Sequence, residues 1–231
     1  MSLTRVNNIT SNLTVDGTLT TTSTGTSLTS NSFNIVKIQT DKDDNGSNDD
    51  AILQFTNGSS NTVKGEIRYD ESEAMFEIGH GDNQGHLRIN SDGYITTPNQ
   101  PAFNAKSTNA IAISGTVTLT FNSVRNNVTS SYNSSNGTFT APIAGWYLFT
   151  HKGLYYAMSA SEYLDLYPYV NGSQWARYEQ TGNSGEHTQV DYSEIIYLNA
   201  NDTFKILASN RSIGSYNMYA QENHFSGYLL G

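Results

Sequence analysis

The stretch TFTAPIAGWYLFTH, residues Thr138–His151, carries four aromatic side chains and no acidic or basic residue before its final histidine. Alternation along a strand sends Trp146 and Leu148 to one face and Tyr147 and Phe149 to the other. Both faces are therefore apolar, although a sandwich of two sheets needs only one apolar face per strand. We expect one face to fill the core and the other to contact a second subunit. The alternative is that the second face covers the edges of the core.

The composition of the 231-residue chain favours strands and turns. Only 14% of its residues are charged, and it has 19 glycines, 15 tyrosines and no cysteine. The absence of cysteine excludes disulfides and thiolate metal sites. The net charge of −9 argues against binding to nucleic acid, which needs a basic surface. No apolar run approaches the ~20 residues of a membrane span, and the N-terminus lacks the apolar region of a secretory signal.

The composition and the apolar patterning of the sequence change twice along the chain. Pro98 and Pro101, in TTPNQPAFNA, cannot both lie in a central strand, and frequent tyrosines follow them. Upstream, GEIRYDESEAMFEIG reads as a hairpin within a module whose core is marginal by itself. We therefore predict an N-terminal stem or attachment segment at 1–32, a small β-rich stem or shoulder module at 33–97, and a head at 98–231. In the first segment, single apolar residues are separated by Thr, Ser, Asn and Gly. This pattern fits either a disordered tail or a stem in which several copies of the chain bury their apolar residues against one another.

An acidic loop, DKDDNGSNDDAI, lies inside the second region. Asp41, Asp43, Asn45 and the glycine after them match the opening of a calcium-binding loop. The closing glutamate of that pattern is absent, because the twelfth position is Ile52. A weak calcium site and a solvated acidic turn both remain open, and no other cofactor is expected.

Residues at fixed spacing mark the head. They are Phe121, Asn127, Tyr132, Phe139, Gly145, Tyr147 and Phe149. This spacing resembles the signature of the complement component 1q globular-head family, relatives of tumour necrosis factor. The motifs PAFNA, FTAP, YVNG and HFSGYLLG agree, so the resemblance covers residues 101–231. One departure is His151, where the family usually has an aromatic residue.

The resemblance implies an all-β head, a ten-stranded antiparallel jelly roll that assembles as a homotrimer. Tyrosine suits such a contact, because its ring is apolar and its hydroxyl still finds a partner. The residues expected in the trimer interface or the core are Trp146, Tyr147, Phe149, Tyr192, Tyr197, Phe225, Tyr228 and Leu230.

The order of thin stem, strand module and trimeric head resembles a bacteriophage fibre protein. This implies a tail fibre on the virion surface, made in the host cytoplasm, with its N-terminus on another virion protein. Its head would bind a polysaccharide or protein receptor of the host. The alternatives are a capsid-vertex or decoration fibre and a non-viral secreted binding ligand. Aromatic residues expected in exposed loops, where they would stack on sugars, are Tyr155, Tyr156, Trp175, Tyr178, Tyr216 and Tyr219.

No catalytic site is expected. Glycosidases need two carboxylates beside the scissile bond, whereas Glu162 and Asp165 are three residues apart in a strand and so point to opposite faces. Nothing marks Glu186, Asp191 and Glu194 as a set. His80 and His86 in GHGDNQGHL form either a surface metal site or, as we expect, part of a hairpin turn.

Overall fold

A computed structural model describes residues 50–57, 62–81, 83–156, 158, 160–182, 187–211 and 214–231. All regular structure in these residues is β-strand, as the composition predicts. The predicted segment 1–32 and the acidic loop with Asp41, Asp43 and Asn45 lie outside the described residues. Among those described, no helix has the length and apolarity that a membrane span requires.

Five strands before the prolines form one antiparallel sheet, the stem sheet. They are β1 (Ala51–Asn57), β2 (Thr62–Asp70), β3 (Met75–His80), β4 (Asn83–Ile89) and β5 (Ile95–Thr96). Each strand pairs with the next one along the chain. The hairpin predicted from GEIRYDESEAMFEIG is confirmed, since Tyr69 pairs with Phe76 and Asp70 with Met75 across the turn between β2 and β3.

The described residues of the head contain thirteen further strand segments. They are β6 (Ala102–Lys106), β7 (Ile111–Ile113), β8 (Thr116–Thr118), β9 (Ser123–Val128), β10 (Tyr132–Asn133), β11 (Thr138–Thr140), β12 (Gly145–Tyr156), β13 (Tyr163–Val170), β14 (Ser173–Gln174), β15 (Tyr178–Thr181), β16 (Thr188–Leu198), β17 (Thr203–Asn210) and β18 (Tyr216–Leu229).

Two antiparallel sheets make up the head, in agreement with the expected jelly roll. The β12 sheet has the order β16-β12-β18-β6-β9, and β7 also pairs with β18. The β13 sheet has the order β10-β11-β17-β13-β14, with β15 on β13 and β8 on β17. The structure describes thirteen strand segments where ten strands were expected. The number is higher because the chain passes from one sheet to the other within short stretches, which divides strands into shorter segments. Gly115, at φ +74°, makes one such turn between β7 in one sheet and β8 in the other.

Stacked aromatic rings fill the space between the two head sheets. The rings of Phe149 and Phe204, from opposite sheets, lie 3.9 Å apart at 6°, and those of Phe103 and Tyr132 lie 4.5 Å apart at 3°. Residues of the spaced pattern therefore build this core. Asn127 fixes a turn there, because its side-chain amide donates to the Tyr132 carbonyl at 2.8 Å and accepts from the Tyr132 N–H at 3.0 Å.

Candidate functional site

An apolar patch covers one end of the outer face of the β12 sheet, the face turned away from the core. Its members are Trp146, Leu148, Ile195, Tyr197, Tyr228 and Leu230, and we call them the apolar band. Trp146 pairs with Tyr197, and Leu148 pairs with both Ile195 and Tyr228. Trp146 and Ile195 are each 52% exposed. Apolar neighbours in such a row form a continuous surface, and continuous exposed apolar surfaces are typical of interaction sites.

The residues expected in the interface or the core divide between these two places. Trp146, Tyr197, Tyr228 and Leu230 lie in the apolar band, where they are exposed in the single chain. The other four, Tyr147, Phe149, Tyr192 and Phe225, are buried between the sheets. Period-two alternation explains the division, because neighbours along a strand point to opposite faces.

Two of the six aromatics expected in exposed loops are core residues, so their prediction as receptor contacts is wrong. Tyr155 and Tyr216 lie in β12 and β18 with 0% exposure, and their rings are 6.1 Å apart. The Tyr216 hydroxyl donates to the Ser209 carbonyl at 3.1 Å. Burial raises the pKa of both phenols. A tyrosine at a strand end was mistaken for a loop residue because element boundaries are the least certain part of a sequence pattern.

The remaining four aromatics reach the surface in three places. The rings of Tyr156 and Tyr219 lie 4.1 Å apart, and the Tyr219 hydroxyl is 3.1 Å from His187 Nε2. Trp175 follows β14 and is 57% exposed. Tyr178 is half-buried and donates to Glu194 at 2.5 Å; burial first, and then this bond, raise its pKa to about 12. Trp175 and the Tyr156–Tyr219 pair are thus the surface aromatics available for stacking.

The acidic residues considered for catalysis are held in structural contacts. Asp165 is fully buried, with Arg177 at 3.1 Å, Arg211 at 2.5 Å and the Tyr167 hydroxyl at 2.8 Å. Both arginines also contact Glu179. A carboxylate with three donors in place is a charge-balanced structural group rather than a free acid or base.

The other candidate acids do not gather with Asp165. Glu162 is also buried, Glu194 accepts from Tyr178, and Asp191 accepts from Gln189 at 2.8 Å. Glu186 lies outside the described residues. His86 Nδ1 accepts the His80 N–H at 3.1 Å across β3 and β4, which ties both histidines to the hairpin. In the ranges that the structure describes, no group of three acidic or histidine side chains is placed to hold a metal.

His151, the departure from the spaced pattern, lies inside the core. Its Nδ1 is 3.0 Å from the His224 carbonyl and its Nε2 is 3.3 Å from the Tyr155 hydroxyl. The imidazole packs against Phe121 with ring centroids 5.7 Å apart. Burial lowers the pKa of His151 to about 4, so the ring is neutral at physiological pH.

A second apolar surface, which the sequence interpretation missed as a site, covers one face of the stem sheet. Its members are Leu53, Phe55, Ile67, Tyr69, Phe76, Ile78, Leu87, Ile89 and Ile95, and we call them the stem face. Ile67 pairs with Leu53 and Ile78, and Ile78 pairs with Leu87. Phe55 is 55% exposed. The signal for this face was the alternation in EIRY, MFEI and HLRI, which places Ile67, Tyr69, Phe76, Ile78, Leu87 and Ile89 on one side.

The opposite face of the stem sheet holds a network of ion pairs. Arg68 contacts Glu77 at 2.5 Å, Asp70 at 3.0 Å and Asp50 at 3.1 Å, and Arg88 contacts Glu77 at 2.9 Å. Glu77 is 2% exposed because the arginine side chains cover it. The stem sheet therefore has a polar face that carries ion pairs and an apolar face that the described residues leave uncovered.

The comparisons with known proteins concern the head. No curated protein matches the chain. Among solved structures, the globular domain of zebrafish complement 1qA protein is 17% identical with a TM-score of 0.46, over 57% of this chain and 98% of that one. Eiger TNF from S. frugiperda is 10% identical with a TM-score of 0.45, over 57% of this chain and 93% of that one. Residues 102–230, more than half of the chain, match the C1q domain, and the chain therefore belongs to the C1q domain family.

Proposed function

We propose that the chain is a homotrimeric bacteriophage fibre protein whose head binds the host cell surface, with glycan as its ligand. The observation that carries the proposal is the presence of two uncovered apolar sheet faces in one chain, the apolar band and the stem face. Monomeric soluble proteins rarely expose contiguous apolar patches of more than a few hundred Å². Three parallel copies around one axis cover both faces with a single symmetry operation.

The size of the two faces supports assembly through both of them. Five strands at ~4.8 Å and six residues at ~3.3 Å give the stem face roughly 480 Å². A standard stable interface buries about 800 Å² per partner. The stem face is thus too small alone, so the proposal requires the apolar band to contribute to the interface as well.

The outer surface of the head supports the binding role. Trp175 presents an exposed indole, and Tyr156 and Tyr219 form a ring pair near the end of β12. Flat apolar rings with polar edges suit the faces and hydroxyls of sugars. The C1q domain is a binding module without enzymatic chemistry, which agrees with the structural engagement of the head's carboxylates. In this proposal the N-terminal residues attach to another virion protein.

Sedimentation equilibrium tests the assembly. We expect the wild-type chain at three times its mass of 25.3 kDa, and we expect Ile195→Asp to shift it towards single chains, because the variant places a charge in the apolar band. Ser173→Asp, an exposed change on the β13 sheet, is the matched control and should remain trimeric. A wild-type chain that sediments as a folded single subunit contradicts the proposal.

Two measurements test the fibre and its ligand. Cryo-electron microscopy of the particle should show the chain as a three-fold projection with its head outward. Purified wild-type protein should compete with particles for adsorption to host cells, and Trp175→Ala should compete more weakly. Absence from the particle refutes the fibre role, whereas presence without competition refutes only the receptor role.

A further inference from the structure

A basic pocket opens on the outer face of the β12 sheet, beyond the apolar band. It has a volume of about 180 Å³ and is lined by Asn104, Lys106, Ser123, Arg125 and His224. Cross-strand pairing creates it, because His224 of β18 pairs with Lys106 of β6, which in turn pairs with Ser123 of β9. A register shift between Asn104 and Ala105 adds Arg125 to the same place.

The cations of this pocket have no counter-charge. In the part of the chain that the structure describes, no carboxylate lines the pocket, and the side chains of Lys106 and Arg125 form no ion pair or hydrogen bond. The arginines of the β13 sheet behave differently, since Arg177 and Arg211 are both neutralised by Asp165 and Glu179. A concentration of unpaired positive charge is notable in a chain whose net charge is −9.

The charged residues that are paired next to the pocket on β12 and β16 do not neutralise its cations. Lys152 of β12 pairs with His224 on the side away from Lys106 and extends the basic row. Asp191 pairs with Lys152 at the far end of this row and already accepts from Gln189 at 2.8 Å. The pocket therefore collects donors and positive charge with no carboxylate in its lining.

We propose that this pocket binds a tetrahedral oxyanion, a sulfate or phosphate group, either free or as an ester on a polysaccharide. Its volume is several times the ~30 Å³ that one water occupies in the liquid, which leaves room for one such group. Lys106, Arg125 and His224 supply cationic or ring N–H donors, and Ser123 and Asn104 supply neutral ones. Donors from five side chains exceed the roughly four acceptor sites of a carboxylate and suit the larger set of a tetrahedral anion.

Calorimetric titration of sodium sulfate and sodium phosphate into the full chain tests the site, with sodium chloride used to hold the ionic strength constant. We expect saturable binding with a dissociation constant of ~1 mM or tighter. The double variant Lys106→Gln/Arg125→Gln should lose at least about tenfold in affinity, as removal of two charge-assisted bonds requires. Lys205→Gln, which removes a cation from the β13 sheet, should bind as wild type does. Absence of saturable heat, or unchanged binding by the double variant, overturns the proposal.

Further variants and ligands keep the test informative. Arg125→Lys retains the charge but loses the planar fork, so it should weaken binding less than Arg125→Gln does; this comparison remains if the double variant misfolds. Binding of dextran sulfate, but not of dextran, that the pocket variants reduce identifies an ester ligand. Binding of the free anions alone identifies an ion site. The prediction for the sulfate ester depends on the proposed binding of host polysaccharide, whereas the prediction for the free anions does not. Sedimentation of the same samples measures the trimeric assembly separately.

Discussion

His151 shows how one residue can depart from a family pattern and still serve its core. The imidazole occupies an aromatic position, packs against Phe121 and bonds to the Tyr155 hydroxyl and the His224 carbonyl. An aromatic hydrocarbon ring would supply the packing but not these bonds. Histidine at this position destabilises the folded chain only when the ring is protonated, because among the described residues no carboxylate contacts the buried imidazolium.

We predict that His151→Phe flattens the acid side of the stability profile. The folded pKa of about 4 lies below the ordinary 6.5, so only the unfolded chain binds this proton between the two values. Wild-type stability should therefore be highest above pH ~6.5 and fall as the pH decreases to ~4. At ~1.4 kcal/mol per pKa unit, the loss from this group is about 3 kcal/mol.

Urea unfolding between pH 4 and 7 measures this difference. The variant should lose less stability than wild type across that window, and His187→Gln, which removes an exposed histidine, controls for the loss of a histidine as such. Parallel profiles for wild type and His151→Phe would show that the buried imidazole does not control acid stability.

The sequence predicted many residue positions in the core but not every exposure. Tyr147 and Phe149 were predicted in one set with Trp146 and Tyr228, as residues of the interface or the core. Alternation shows which residues share a face of a strand, but it does not show which face is turned towards the core. Tyr155 was expected in an exposed loop, whereas it lies near the end of β12 on the face that is turned towards the core. The basic pocket was not predictable, since it depends on the register shift that brings Arg125 beside Lys106.

At the scale of elements, β18 is the strand that joins the β12 sheet together. It pairs with β12, β6 and β7. Gly227 lies where β18 crosses the aromatic core, and a Cβ added there would be 2.5 Å from Phe103 Cε1 and 2.8 Å from Phe149 Cε1. Glycine is required at this position because the rings approach the backbone closely.

We predict that Gly227→Ala destabilises the head by ~1–3 kcal/mol, the usual cost of overpacking a core. Scanning calorimetry of the full chain measures the change. Gly65→Ala in β2 is the control, because its added Cβ meets only the Gly79 carbonyl oxygen at 3.4 Å. Its effect should stay within about 0.5 kcal/mol. A wild-type transition for Gly227→Ala would mean that both rings move aside at no cost.

The long strands were predictable from period-two patterns, whereas the short ones were not. GWYLFTHKGLYY and DYSEIIYL alternate over many residues and appear as β12 and β16. Segments such as β8 and β14, with three and two residues, carry too little pattern to be distinguished from turns. β8 pairs with β17, which is distant in sequence, whereas β14 pairs with the end of β13 across the short turn at Asn171 and Gly172.

For the whole molecule, the stem face is the feature that isolated strands could not reveal. The sequence predicted one apolar side for each strand, but it could not show whether a second layer covers that side. In the described residues the apolar side remains exposed, while the Arg68 ion pairs occupy the polar side. The proposed assembly of three copies would bury the stem face.

We predict that Ile78→Asp weakens association of the full chain, because Ile78 lies at the centre of the stem face between Ile67 and Leu87. A buried unpaired carboxylate costs several kcal/mol, enough to shift the assembly towards single chains at micromolar concentration. Sedimentation velocity measures the shift. Ser91→Asp, which adds the same charge in an exposed turn, should leave association unchanged. If Ile78→Asp associates as wild type does, another segment of the same chain covers the stem face and the prediction is wrong.

The pairing of β18 with β6 also has a kinetic consequence. Phe225 pairs with Ala105 and Gly227 with Phe103, across about 120 intervening residues. Contacts of such sequence separation raise the contact order, and domains dominated by them fold in milliseconds to seconds rather than microseconds. During that interval the aromatic interior is open to other chains. Recovery of native protein on refolding should therefore decline as chain concentration rises.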